Sequence, residues 1–180
     1  MAEITAAPHH DDIASSSTAS CSASTSYVHY DIFISHCGRD KDAGIFATAL
    51  YSRLLSRGLH VFLDKLEFMS EEEVTSQIKA AISLASVQIV IFSPNYAQWK
   101  WCLDALIHMT NSQGTTFPVF YKVKPSEVRR TGKDNDGPYA LWMRDHEEKE
   151  RYDLETIQNW RDVLFRVSNI SGFELEACNG

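Results

Sequence analysis

Positive charge is scarce in this chain. Seventeen Lys and Arg stand against 24 Asp and Glu, giving a formal net charge of -7 and a pI near 5.4. That balance argues against nucleic acid or an anionic membrane as the main partner. Lys124, Arg129 and Arg130 supply at most a small basic patch. Long apolar runs are missing too: none approaches the roughly 18 residues of a spanning helix. Cysteine is sparse and scattered, at Cys21, Cys37, Cys102 and Cys178, without a C-x-x-C pair or a metal-ligand spacing. No metal site is expected, and unpaired thiols suit a reducing compartment. No Lys or Arg precedes Tyr30, and no apolar core follows Met1. Secretory and transit signals are thereby disfavoured, which makes the cytoplasm the expected location. Neither a Ser/His/Asp order nor a glycine-rich phosphate loop points to hydrolase or kinase chemistry.

What remains is ordinary globular material, 44% hydrophobic and 23% charged, enough for one domain with a sizeable core. Residues 1–28 are Ser/Ala/Thr-rich and nearly devoid of large apolar side chains, so they are expected to be a disordered tail. His9, His10, Asp11 and Asp12 belong to that tail and read as solvated. The folded domain is expected over 29–176, with 177–180 as a short tail.

From Tyr30 the periodicity changes. "YDIFIS" is a β-rich run and "HCGRDKD" a loop; Phe46, Leu50 and Leu54 then recur every four residues until Gly58 stops the helix. "HVFLD" is a second strand. Ser70 and Glu73 form a capping-box signature ahead of a stripe of Val74, Ile78, Ala81, Ile82 and Ala85. Val87 to Phe92 is an apolar strand, followed by the breaker Ser93-Pro94-Asn95 and a helix opening on "WKWCLDAL". "FPVFYKV" is a fourth strand, the run "RDHEEKERYDLE" a solvated face, and Ile157, Trp160, Leu164 and Val167 a terminal helix.

Alternating strands and helices predict an α/β fold: a flavodoxin-like open parallel sheet of about five strands, in the order 2-1-3-4-5, with helices on both faces. Ligands of such sheets bind beyond the carboxyl ends of the strands, where the order reverses. That crevice would be walled by Ser35 to Asp40 and Ser93 to Cys102, with the loop 64–70 overhanging. A residue at position 105 lies one turn past Trp101 and Cys102 on the same side. Asp104, about 100° away, should point elsewhere.

Taken together and in order, "YDIFIS", "VFLD", "IVIFSPNYAQWKWCLDAL", "PVFYKVKPSEVR" and "VLFRVSNISGFEL" resemble the Toll/interleukin receptor (TIR) domain of the plant type, over about Tyr30 to Leu175. The chain would then be a TIR-only protein or an N-terminal TIR fragment. The resemblance implies the flavodoxin-like fold and one of two activities. Some members cleave NAD+ between nicotinamide and ribose, yielding cyclic or linear ADP-ribose signals of immune alarm. Others act by association with themselves or with other TIR domains. The enzymatic pattern W-C-L-x-E-L reads here Trp101-Cys102-Leu103-Asp104-Ala105-Leu106, so the family glutamate is replaced by Ala105. The pattern Ser-Phe-Arg-Gly-x-Asp reads Ser35-His36-Cys37-Gly38-Arg39-Asp40, which keeps Gly38 and Asp40 and puts Cys37 in the arginine's place. Arg39 either stands in for that arginine or does not. In the overhanging loop, Ser70 and Glu71 replace an Arg-Gly pair.

The resemblance therefore implies an NAD+ site at Gly38, Arg39, Asp40, Trp101 and Cys102, with NAD+ as substrate or residual ligand and no resident cofactor. Each residue has a plainer reading beside it. Trp101 stacks on a base or packs in the core; Cys102 is a small buried hydrophobe; Gly38 serves a tight turn. Cleavage builds an electron-poor, oxocarbenium-like ribose, which a preorganised carboxylate stabilises and a methyl group does not. Loss of one such group typically costs on the order of 10²–10³ in rate. The expectation is an assembly protein with weak or absent NAD+ cleavage. The alternatives are an active enzyme using another carboxylate, such as Glu67 or one of Glu71 to Glu73, and a glutamate-to-alanine derivative of an active parent.

Overall fold

In the computed structural model, residues 29–64 and 76–176 are described. The expected tail 1–28, the overhanging loop with its acidic residues, and the Ser70–Glu73 capping box lie outside them. The elements run β1 (Tyr30–His36), α1 (Lys41–Leu55), β2 (Val61–Leu63), α2 (Ser76–Leu84), β3 (Ala85–Phe92), α3 (Lys100–Asn111), β4 (Thr115–Tyr121), α4 (Pro125–Arg129), α5 (Pro138–Glu148), α6 (Leu154–Ser168) and β5 (Phe173–Leu175). The five strands are parallel and pair in the order β2-β1-β3-β4-β5, as the sequence predicts.

Local chemistry sets the boundaries. Asp40 caps α1, its Oδ1 accepting from the Ala43 amide at 3.4 Å. Asp153 caps α6, with Oδ1 2.6 Å from the Thr156 amide. Gly58 takes φ +81 after α1, the left-handed conformation that ends a helix most easily at glycine. Ala85 opens β3 instead of closing the α2 stripe, which corrects its expected place: the chain turns directly from α2 into the sheet.

Alternation along each strand divides the core. Phe33, Val90, Phe92 and Phe120 face one side, where α2 to α6 contribute Ile82, Leu106, Val128, Tyr139 and Trp160. Ile32, Ile34, Ile91 and Val119 face the other, under Ala43 and Ala47 of α1. Among the described residues α1 is the only helix on that second face. It leaves the β4–β5 side open, with Phe117 40% and Phe173 62% exposed and their rings stacked at 6.0 Å.

The segment 144–155 departs from its expected solvated character. Residues up to Glu148 belong to α5, and His146 is buried against Tyr152 and Trp160 at ring separations of 5.6 and 5.3 Å. Tyr139, Met143 and His146 form a helical stripe that the surrounding charges conceal.

The last strand enters through a tight contact. A β-carbon on Gly172 would lie 2.2 Å from the Pro118 carbonyl oxygen, inside van der Waals contact. Gly172→Ala should therefore destabilise the protein by about 1–3 kcal/mol, measured by urea unfolding. Gly132→Ala, whose methyl would meet nothing nearer than 3.8 Å, should change it by less than about 0.5 kcal/mol.

Candidate functional site

The carboxyl ends of β1 and β3 are adjacent, with Ser35 opposite Val90 and His36 opposite Ile91. The chain after each strand is held by hydrogen bonds. Asp40 N–H donates to the Cys37 carbonyl at 3.0 Å, closing a turn over Gly38 and Arg39. Beyond β3, a short 3-10 turn (Tyr96–Gln98) leads into α3. α5 fixes this stretch at three places: Tyr139 Oη donates to the Ser93 carbonyl at 2.9 Å, Trp142 Nε1 to the Pro94 carbonyl at 3.0 Å, and His146 Nε2 lies 2.9 Å from the Ala97 carbonyl.

The two segments also bind each other. Tyr96 Oη lies 3.0 Å from Ser35 Oγ and donates to the Cys102 carbonyl at 3.1 Å. The Arg39 guanidinium sits over the Trp99 ring, 4.1 Å from its centroid. Asn95 Nδ2 reaches Asp40 Oδ2 at 3.5 Å. The expected walls of the crevice are thus brought together.

The six residues singled out in the sequence nevertheless have different surroundings. Gly38 and Arg39 line an open groove of about 880 Å³ along α1, beside Gly44, Ile45 and Thr48. Asp40 serves as the helix cap. Trp101, 7% exposed, borders a cleft of about 170 Å³ with Trp99, Lys149 and Tyr152. Cys102 and Ala105 have no exposed surface and belong to the core that includes Cys37 and Tyr96. Asp104 points away, as the helical period requires: it pairs with Lys100 and accepts from Trp160 Nε1 at 3.0 Å.

Sequence reasoning passed over four residues that hold this end of the sheet: Tyr96, Tyr139, His146 and Asp64. Tyr139 and His146 lie on a helical stripe of α5 that the charged residues around it conceal in the sequence. Asp64 follows β2, is 1% exposed, and its charge contributes to raising the Cys102 and Tyr96 pKa values, both driven up chiefly by burial. His36 is also buried, and its Nδ1 has no hydrogen-bond partner among the described residues. Burial lowers its pKa from 6.5 to about 4, against a smaller opposing pull from Asp40.

A profile of the TIR domain matches residues 29–180. The chain belongs to the TIR domain family. It is 34% identical over 155 residues to TMV resistance protein N of Nicotiana glutinosa, covering 84% of this chain and 13% of that protein. Over 99 residues it is 35% identical to a Brachypodium distachyon protein named as a probable 2' cyclic ADP-D-ribose synthase, BdTIR; the match covers 55% of this chain and 44% of that one. Among solved structures, the TIR domains of the activated Roq1 resistosome, which recognises the effector XopQ, superpose with a TM-score of 0.72 at 33% identity, covering 83% of this chain and 89% of that one. The chain thus spans under half the length of these curated relatives. No helix among the described residues is long and apolar enough to cross a membrane.

His36 gives a pH prediction. Its folded pKa lies below the unfolded value, so the unfolded chain binds the proton first as pH falls below 6.5. Stability should drop between pH 6.5 and 4, by about 3 kcal/mol from this residue. The buried His146, also lowered chiefly by burial, adds a loss of the same sign. Urea midpoints at pH 7 and pH 4.5 measure the fall, and His36→Gln should reduce it.

Proposed function

We propose that this TIR domain works in plant immune signalling by associating with TIR domains, its own or those of homologues, and that its NAD+ cleavage is weak or absent. The observation that carries this reading is the methyl group at Ala105, in the place of the family's glutamate and with no surface exposed. A ribose with developing positive charge needs a fixed carboxylate, and none projects from this point of α3. Asp104 cannot turn to the task without giving up Lys100 and Trp160. Asp40 is committed to capping α1 and to Asn95.

Association is supported by two surfaces. The outer face of α1 presents Ile45, 70% exposed, beside the groove at Gly38 and Arg39. The open side of the sheet presents Phe117 and Phe173. The likeness to TIR domains within a resistosome supports the same reading. A cytoplasmic protein without nucleic acid or membrane partners fits the acidic composition.

A second reading, an active NAD+ hydrolase, is favoured by one observation: Asp64 is a buried carboxylate close enough to influence Cys102. Purified protein incubated with NAD+ and followed for nicotinamide release separates the two readings. No turnover is expected, and turnover that disappears in Asp64→Asn would establish the second. Ala105→Glu places a carboxylate in a closed, packed position and should lower stability by about 1–3 kcal/mol in urea unfolding. Mass measured by light scattering should rise with concentration, and Ile45→Asp should shift it toward monomer. A strict monomer at every concentration overturns the assembly reading.

A further inference from the structure

One flank of the sheet is uncovered beside α1. A cavity of about 300 Å³ lies between Phe46 and Leu50 of α1, Ile89 of β3, Phe117 and Val119 of β4, and Phe173 of β5. Every one of these side chains is apolar. A parallel sheet is normally covered on both faces, yet among the described residues no helix lies over this part of it. β4 and β5 together are about 10 Å wide at the usual strand spacing, which is the width of one helix.

α1 is itself uncharged on every side. From Ala43 to Ser52 it has no Asp, Glu, Lys, Arg or His. Its buried face carries Ala43 and Ala47. The opposite face, half a turn round, carries Ile45, Ala49 and Ser52, spaced as i, i+4 and i+7. Ile45 is 70% exposed, and Ala49 and Ser52 are exposed beside it. A helix that lacks a charged face is the kind that sits between two layers. The outer face of α6, by contrast, carries Glu155, Asp162 and Arg166, as a face turned to water does.

We infer that two copies of this chain lock together with each α1 seated in the other's β4–β5 groove, so that a pair of helices is enclosed between two sheets. The inference rests on the self-association proposed above and joins its two surfaces into one interface. A two-fold axis running between the helices and along them achieves both contacts at once. It brings the second copy's α1 onto the open flank and carries this α1 onto the second copy's flank, which closes the assembly at two chains. The stripe of Ile45, Ala49 and Ser52 then meets the opposing sheet, and Phe46 and Leu50 of the two helices face each other across the axis. Contacts within one copy set the heights. Phe46 stacks on Tyr121 at 5.3 Å, and Phe173 pairs with Val119, two residues below Tyr121. That step is about 7 Å along the strand, or roughly four residues of a helix running the opposite way. The second copy's Ala49 therefore comes to the level of Phe173, where its small side chain leaves room for the ring. Half the surface of the 15-residue α1 and a matching strip of groove amount to about 700 Å² per copy, near the roughly 800 Å² typical of a stable interface.

The test uses the full chain with Cys21→Ser and Cys178→Ser, keeping Cys37 and Cys102, which have no exposed surface. Ala49→Cys and Phe173→Cys are introduced into separate preparations. Mixed and treated with a short bismaleimide, the two should join through positions 49 and 173 at least about tenfold faster than either preparation alone. Phe173→Asp should raise the dimer dissociation constant at least about tenfold, because it buries a charge in the contact. The crosslink decides the matter even if that variant folds poorly. Dimers in which 49 and 173 do not join, in which one preparation alone joins as fast, or which a folded Phe173→Asp variant forms equally well overturn this inference and leave self-association standing. A chain that never dimerises overturns both. A monomer whose thiol at position 173 resists a reagent that labels position 49 has its groove covered by its own residues, and this too overturns the inference.

Discussion

Tyr96 is the side chain on which the geometry at the carboxyl end of the sheet depends. Its hydroxyl stands between Ser35 of β1 and the backbone of Cys102 in α3, with its ring edge-on to Phe92 at 5.2 Å. A buried phenol must find partners, since an unmet hydroxyl in the core costs about 1–3 kcal/mol. Satisfying both of its partners fixes the distance from β1 to α3, the helix that follows the neighbouring strand β3. Three bonds from α5 hold the same stretch from behind. The start of α3, and with it the position of Ala105, is thereby set from two sides.

That rigidity gives the alanine its meaning. Preorganised charge works because the protein has already met the cost of orienting it. Here the scaffold around position 105 is fixed, and the side chain it holds there is a buried methyl. The site residues around it have other employment: a cap for Asp40, a cation–π contact for Arg39, core packing for Cys102.

The strands and their order were legible because period-two apolar runs such as "YDIFIS" and "VQIVIF" admit few alternatives once crossovers must be right-handed. The departure of Asp104 was legible from spacing along one helix; the full burial of Ala105 in the core was not. The role of α5 was not, because its buried face is punctuated by Arg144, Asp145 and Glu147, and charge density hid the stripe of Tyr139, Met143 and His146. Asp64 was visible as the end of a strand, but its burial is a property of the packed domain.

Lys122 has a consequence of a different kind. It adopts φ +57 immediately after β4, donates its amide to the Leu175 carbonyl, and pairs with Asp42 at the start of α1. The three-residue β5 is moored to the sheet by this residue and by its pairing with Val119, Phe120 and Tyr121. With one flank bare among the described residues and a short ladder on the other, β5 is, like β2, an edge strand of low opening free energy. Its amide protons will trade with deuterium long before those of β1 and β3, and each such opening briefly uncovers a β4 edge able to accept a foreign strand.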